Sequence, residues 1–426
     1  MAAAATVEGP LDKISYEDLY RRWEHGHWRA TEIDFGRDRE QWQADFSDFD
    51  RKAALWNYAL FFWGEDAVVD GLSPYIDAAP REEQKYFLAT QQADEARHAV
   101  FFNRFMHEVA EIGDGHAGSA LQEIRPQLTW GFERLFGRLE TSCEELRRDP
   151  SVPRLAAAVA LYHCVIEATL AQPGQHFISS YLDERDLLPG FRAGMENVEA
   201  DERRHIGFGV KLLSDLRRMN PDVPHAVAEM LREVLPWTVA VIVPPGWDER
   251  YYTTFGWTFE DLGESGVTSL MSKLRSAGMP LDDLPGPPVF PVLGDPRERA
   301  GRAKRLLQCG YLGEKTGPPS TDPGDVRLLF ETLATALDGG AAAEPGVIQW
   351  DLTDGEPWHI AVSNGSTEAR PGRVEHPRLS LRTRFEDLVD IVGGRKDPRR
   401  LLATGRLRPR GDMRWVWQSR AMFPPL

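Results

Sequence analysis

A repeated pattern of glutamate and histidine constrains this chain more than any other feature. The extended pattern Asp-Glu-x-Arg-His occurs twice, at 94–98 and 201–205, and each copy contains a Glu-x-x-His pair, Glu95 with His98 and Glu202 with His205. On an α-helix, residues three apart lie on one face, with Cβ atoms about 5–6 Å apart. Each glutamate and histidine can therefore bind the same metal ion. One copy would be a weak signal, but two copies in segments of helical periodicity are a strong one.

Each copy is preceded by a further glutamate inside an apolar run. Glu65 follows the aromatic residues 61–63, and Glu167 follows the apolar residues 164–166. A carboxylate buried among apolar side chains is costly unless it is paired or binds a metal. The spacing to the next motif is that of one helix, a turn and part of a second helix, in both halves. The pattern predicts a four-helix bundle with a dinuclear site, in which four carboxylates and two imidazoles balance two divalent ions.

Length, charge and cysteine content narrow the class of protein. A chain of 426 residues favours two domains, and a net charge of -16 argues against a nucleic-acid partner. The N-terminus lacks the pattern of a secretory signal, and the best apolar stretch, 234–243, is too short to span a membrane. Three widely separated cysteines fit neither a disulfide framework nor a zinc site. We therefore predict a cytoplasmic protein without a membrane span.

The composition and the hydrophobic periodicity of the sequence change near its last quarter. Prolines cluster between 280 and 296, and after 324 short segments alternate with period two, for example at 347–353 and 379–383. We predict a mainly α fold with an α+β domain at the end. The predicted regions are a helical domain at 1–290, a Pro/Gly-rich linker with a short helix at 291–323, and the α+β domain at 324–426.

Residues of about 15–290 resemble the ribonucleotide reductase small-subunit-like proteins of the ferritin-like superfamily, most closely the ligand-binding oxidases that carry a manganese/iron pair. The resemblance implies a ferritin-like bundle. Val68 and Tyr162 match the valine and tyrosine that this branch joins by an ether cross-link beside the metals. Phe102 stands where a reductase subunit would carry its radical tyrosine, so that function is the least favoured. The implied metal ligands are Glu65, Glu95, His98, Glu167, Glu202 and His205.

Tyr162 poses a geometric problem. It precedes Glu167 by five residues, which on a regular α-helix places the two side chains about 140° apart. A π-bulge would be needed to bring both to the metals, and such bulges are frequent at functional sites. Otherwise Tyr162 is a packed core residue.

Residues next to the motifs suggest supporting roles. Asp94 and Asp201 each precede a ligand glutamate, and carboxylates often hold the free N–H of a ligating histidine. We predict that each Asp orients the histidine of the other motif. Arg97, Arg203 and Arg204 are expected in surface ion pairs. Aromatic residues are expected to form an apolar pocket beside the metals: Phe61, Phe62, Trp63, Phe101, Phe102 and Tyr162.

A second resemblance covers about 324–424, which is similar to the sterol carrier protein domain. It rests on the order of four segments: 348–355, 358–365, 383–393 and 405–412. The resemblance implies a module that binds long acyl chains or sterols in an apolar tunnel. The residues that line this tunnel are not assigned.

Together the resemblances imply an O2-activating oxidase with two metal ions, Mn/Fe or Fe/Fe. Its ligand would be a fatty acid or another lipid-like molecule, its electron donor is unknown, and a homodimer is expected by analogy. Two alternatives stay open. One is a diiron N- or C-oxygenase of a natural-product substrate, and the other is a non-catalytic, metal-containing lipid carrier or sensor.

Overall fold

The computed structural model describes residues 14–279, 294–337, 344–363 and 365–416. Most of the proline-rich stretch 280–296 lies outside these residues. The first part of the chain is helical, with single 3₁₀ turns at 30–32, 125–127 and 245–247. Its helices are α1 (Tyr16–His25), α2 (Gly36–Ala44), α3 (Asp48–Gly71), α4 (Ser73–Ala78), α5 (Glu82–Glu108), α6 (Ala117–Ile124), α7 (Trp130–Arg148), α8 (Val152–Val159), α9 (Gln172–Glu184), α10 (Pro189–Met219), α11 (Val223–Val241), α12 (Arg250–Thr253) and α13 (Phe259–Ser276).

The long helices form the predicted bundle. Helix α3 packs against α5, and α10 packs against a π-helical segment, Ala160–Ala171, which joins α8 to α9. Helices α7, α11 and α13 cover this core from outside. Helix α3 begins at a capping box, in which the Ser47 hydroxyl accepts from the Asp50 N–H and the Asp50 carboxylate accepts from the Ser47 N–H.

The stretch that leads into Pro173 winds as a π-helix over Ala160–Ala171. The irregularity begins at Ala160, and its i→i−5 pattern is visible where the Gln172 N–H donates to the Glu167 carbonyl. Ala160 to Ala168 are all buried. Helical residues 152–184 have a window of mean hydropathy 1.4, apolar enough to cross a membrane, but 72% of that window is buried within the protein. This stretch is the core helix of the bundle.

The last part of the chain forms a mixed sheet with helices. The elements are α15 (Pro323–Ala336), β1 (Gly346–Leu352), β2 (Trp358–Ser363), β3 (Ser366–Pro371), β4 (Leu379–Thr383), α16 (Phe385–Val392), α17 (Pro398–Ala403) and β5 (Arg408–Gly411). Strand β1 pairs antiparallel with β2 and parallel with β4, and the sheet order is β3-β2-β1-β4-β5. Helix α15 packs on the sheet, where the Phe330 ring stacks on Trp358 at 4.8 Å.

The short helix predicted in the linker, α14 (Pro296–Gln308), contacts both parts of the chain. It lies close to α13, since a Cβ atom on Gly263 would be 2.6 Å from the Ala300 Cβ. Towards the sheet, Arg305 forms an ion pair with Asp325 of α15 at 2.7 Å. The helix therefore fastens the α+β region to the bundle.

Candidate metal centre

The structure brings the six predicted metal ligands together in the middle of the bundle. All six are buried. Helix α3 supplies Glu65, α5 supplies Glu95 and His98, the π-helical segment supplies Glu167, and α10 supplies Glu202 and His205. They form two groups whose possible ligand atoms lie within 4.8 Å of one another: Glu65, Glu95, His98 and Glu202 in one, and Glu95, Glu167 and His205 in the other.

The two histidines point the same nitrogen at the carboxylates. His98 Nδ1 lies 3.1 Å from Glu65 Oε2, and His205 Nδ1 lies 3.2 Å from Glu95 Oε1. Glu95 belongs to both groups, as expected of a carboxylate placed between two ions. The spacing of the motifs along α5 and α10 therefore produces a pair of adjoining sites.

The charges of the centre favour bound cations. Burial raises the pKa values of Glu65, Glu167 and Glu202 above the ordinary range of a glutamate. Burial alone would lower the pKa of His98 and His205, but the surrounding carboxylates outweigh it and raise both pKa values. The cluster thus holds positive charge on its imidazoles, a charge that two divalent ions would supply instead.

The donor atoms fit iron and manganese. Carboxylate oxygen and imidazole nitrogen are suitable ligands for both metals, and the three cysteines belong to neither group. Within the described part of the chain, the buried atoms Glu167 Oε2, Glu202 Oε2 and His205 Nδ1 have no hydrogen-bond partner. Buried polar atoms without partners are rare in native proteins, and metal ligation would satisfy these three.

Both histidines are oriented by an aspartate of the other motif, as predicted. His98 Nε2 donates to Asp201 Oδ2 at 3.1 Å, and His205 Nε2 donates to Asp94 Oδ2 at 3.0 Å. Burial opposes ionisation of Asp201, but its hydrogen bond to His98 and the nearby positive charges hold its pKa below the usual range. The arrangement fixes each imidazole with Nδ1 towards the metals.

The expectation of surface ion pairs was wrong for Arg97 and Arg204. Their side chains are only 11% and 10% exposed, and each contacts both Asp94 and Asp201. Each arginine follows an aspartate by three residues, so the helix turns it towards the same buried face. Arg203 is exposed and pairs with Glu199, as expected.

Several supporting side chains were missed in the sequence. Trp23 Nε1 donates to Asp94 Oδ1, and Trp28 Nε1 donates to Asp201 Oδ2, both at 2.8 Å. Only the folded N-terminal segment brings these tryptophans to the centre, so no local spacing could identify them. Gln91 Nε2 donates to Glu167 Oε1 at 2.7 Å. Its position four residues before Glu95, on the same helical face, was the available signal.

An apolar cavity of about 110 Å³ adjoins the centre. Glu65, Glu95, Glu167 and Glu202 form its polar end, and Val68 and Tyr162 both line it. Its volume exceeds that of one water molecule several times. The remaining walls are mainly apolar and include Phe61, Phe132, Phe136, Ile166, Leu170 and Ile242.

The aromatic residues expected around the metals divide between two places. Phe61 lines the cavity, whereas Phe101 and Phe102 pack with Phe191 in an aromatic core behind it, where the Phe102 ring stacks on Phe61. Tyr162 lies in the π-helical segment and donates from its hydroxyl to Glu95 Oε1 at 2.7 Å. The π-helix therefore supplies the geometry that the five-residue spacing from Glu167 required.

Comparison with known proteins agrees with this geometry. An R2-like ligand-binding oxidase from Sulfolobus acidocaldarius has a TM-score of 0.51 and 24% identity, over 61% of this chain and 90% of that one. A Gly-to-Phe mutant of an R2-like ligand-binding oxidase, with an anaerobically reconstituted Mn/Fe cofactor, has a TM-score of 0.52 and 22% identity, over 64% and 96%. A Val-to-Leu mutant with the same kind of cofactor has a TM-score of 0.53 and 21% identity, over 64% and 95%. At these identities the likeness shows a shared fold.

Two families match the sequence itself. Residues 331–423 match the SCP-2 sterol transfer family, which agrees with the α+β region. Residues 9–237, more than half of the chain, match the family of the ribonucleotide reductase small chain. This protein therefore belongs to the ribonucleotide reductase small chain family and carries an SCP-2 sterol transfer domain behind its helical bundle.

Proposed function

We propose that the protein is an O2-activating dimetal oxidase that acts on a lipid-like ligand, such as a fatty acid. One observation carries the proposal: the four carboxylates of the buried six-residue cluster form the polar end of a mainly apolar cavity. A ligand with an apolar chain and a polar end would match both parts. The solved structures of the same fold are named ligand-binding oxidases, and two of them carry an Mn/Fe cofactor.

The six side chains would hold two metal ions, Mn/Fe or Fe/Fe. When bound, such a pair supplies the electrons that reduce O2 and the oxidising power that attacks a nearby bond. The protein contributes the rest. Asp94 and Asp201 keep the histidine Nδ1 atoms directed at the metals, and the apolar walls exclude water from the reacting bond.

The ether cross-link between Val68 and Tyr162 is part of the proposal. Val68 follows Glu65 by three residues on α3, and both Val68 and Tyr162 line the cavity beside the carboxylates. Bond formation would remove one hydrogen from a Val68 carbon and one from the Tyr162 hydroxyl, and O2 would take up the two electrons and two protons. Intact-mass and peptide analysis after aerobic metal loading measures this step. Tyrosine and valine peptides that remain separate would count against it.

The SCP-2 domain suggests where the ligand comes from. Helix α14 packs on α13, and the α13 residue Leu262 lines the cavity of the metal centre. The domain is thus attached next to a wall of this cavity. A role in capturing or presenting a lipid would use this proximity.

The test is to load the full-length protein with Fe²⁺ and Mn²⁺ without O2, and then to add O2. We expect two metal ions per chain, O2 uptake and an oxidised product among extracted lipids. Glu202→Ala should abolish metal binding and uptake. Glu196→Ala, a change at an exposed residue of the same helix, should alter neither. Metals without O2 uptake or product would favour the non-catalytic carrier or sensor instead, for which the SCP-2 domain is the specific support.

A further inference from the structure

Gln91 is a buried amide whose contacts all lie beside the proposed metal ligands. It is fully buried on α5. Its Nε2 lies 2.7 Å from Glu167 Oε1, 3.3 Å from the Tyr162 hydroxyl and 3.5 Å from Glu95 Oε1. Its Oε1 lies 3.2 Å from His163 Nε2. An amide has two N–H groups and an acceptor oxygen with two lone pairs, so these contacts engage both its nitrogen and its oxygen.

Chemistry determines which way this amide points. A metal-bound Glu167 is a carboxylate and only accepts hydrogen bonds, so the Gln91 nitrogen must face it. The Gln91 oxygen then faces His163, whose Nε2 must donate. Burial lowers the pKa of His163 to about 3, so the ring is neutral and carries a single proton. With Glu167 ionised by a bound metal, this orientation of the amide requires that proton on Nε2.

His163 is buried and packs tightly against α10. A Cβ atom on Gly209 would lie 2.2 Å from the Cβ of His163, so the α10 backbone lies directly against this side chain. His163 and the next-turn ligand Glu167 both belong to the π-helical segment. The histidine thus connects Gln91 to a rigid part of the bundle.

We propose that Gln91, held by His163, is the positioning residue that fixes Glu167 and Tyr162 beside the metal pair. The amide occupies Oε1 of Glu167 and leaves Oε2, which has no other described partner, for a metal. It also holds the phenol oxygen of Tyr162 next to Glu95. This inference rests on the proposed function, because it assigns a role at the same centre.

The alternative is that Gln91 only satisfies polar groups in the core. Gln84 offers a matched control, because it is also fully buried on α5 and bridges the Tyr16 hydroxyl and the Arg81 N–H, away from the metals. Gln91→Leu and Gln84→Leu remove the same donor and acceptor from one helix. A purely structural role predicts the same effects for both.

The first measurement uses the wild-type protein loaded with Zn²⁺, a diamagnetic ion that carboxylates and imidazoles also bind, and nitrogen NMR of labelled histidines. We expect His163 to be neutral, with its proton on Nε2, and to lose this signature in Gln91→Leu but keep it in Gln84→Leu. A proton on Nδ1, or a charged ring near neutral pH, would overturn the inference without any variant.

The second measurement is metal content and Val68–Tyr162 coupling after loading with both metals. We expect Gln91→Leu to weaken metal binding by about 10–100-fold, the usual effect of removing a partner of a ligand, and to reduce coupling. Gln84→Leu should match wild type in both. Wild-type metal content and coupling in Gln91→Leu would refute the positioning role but leave the oxidase intact. A wild-type protein that binds no metals would instead refute the proposed function.

Discussion

On the histidine side, the metal centre is bordered by Asp94, Asp201, Arg97 and Arg204, whereas on the opposite side it opens into an apolar cavity. The charged side is a closed network, in which each arginine contacts both aspartates and each aspartate also accepts from a tryptophan and a histidine. The cavity side has apolar walls, with Gln91 and Tyr162 as neutral donors to the carboxylates.

The comparison separates two tasks. A buried ion-pair network tolerates little change, because removal of one member leaves the others charged and unpaired. An apolar wall can change shape at moderate cost. We infer that the charged side holds the ligand histidines in place and that the cavity side decides what reaches the metals.

The largest expected effect follows the change Asp201→Ala. The change removes a negative charge that pairs with the buried side chains of Arg97 and Arg204, and it frees the His98 ring. The free energy of unfolding should therefore fall by about 3–5 kcal/mol. Metal content should fall as well. Chemical denaturation and elemental analysis measure these effects, with Glu196→Ala, at an exposed residue, as the control on the same helix. Unchanged metal content and O2 reactivity in Asp201→Ala would remove the orienting role assigned to the aspartate.

The next largest effect concerns a single donor of the charged side. Trp28→Phe keeps an aromatic ring but removes the indole N–H that donates to Asp201 at 2.8 Å. A hydrogen bond to a charged group contributes about 1.5–3 kcal/mol, so stability should fall by that amount. Thermal and denaturant unfolding of the metal-free protein measure the loss. A loss of stability smaller than the contribution of an exposed ion pair would mean that the network does not depend on the Trp28 N–H.

The free energy of unfolding should depend on pH through His163, whose ring contacts Gln91. Its folded-state pKa of about 3 lies below the usual value of a histidine, so the unfolded chain binds a proton that the folded chain excludes. Between pH 3 and about 6.5, this histidine should make stability rise with pH by up to about 1.4 kcal/mol per pH unit. Denaturant midpoints at several pH values, compared with those of His163→Gln, isolate this slope. Parallel curves for the two proteins would show that the ring is not held neutral.

The smallest expected effect belongs to the apolar wall. Ile166→Val removes one methylene group beside the existing cavity and should lower the free energy of unfolding by about 0.5–1.5 kcal/mol. Metal content should stay the same, while the preferred chain length of bound lipids should shift upward. Denaturation, elemental analysis and extraction of bound lipids test the three points. A loss of metals in this variant would break the distinction between the two sides.

Much of the centre was predictable because it rests on helical spacing. The three-residue steps from Glu95 to His98 and from Glu202 to His205 determine which side chains share a face, whatever surrounds them. The strands predicted at 347–353 and 379–383 likewise follow from period-two alternation, and they are β1 and β4 of the sheet. The pairing of Asp94 and Asp201 with the opposite histidines was also predicted, since ligating histidines commonly need such partners.

The rest depended on contacts between distant segments. The three-residue step from Asp94 to Arg97 and from Asp201 to Arg204 indicated a shared face, but no local pattern reveals the partner of each arginine on the other helix. Trp23 and Trp28 reach the centre from an N-terminal segment whose path the sequence does not specify.

The sequence by itself determined the six clustered side chains, the helical bundle and the order of the two domains, because local periodicity encodes each of them. Only the tertiary structure decided that the Glu167 segment winds as a π-helix, that two arginines are buried and that one side of the centre is a cavity. These features depend on how whole helices pack, and packing is a property of all their neighbours together.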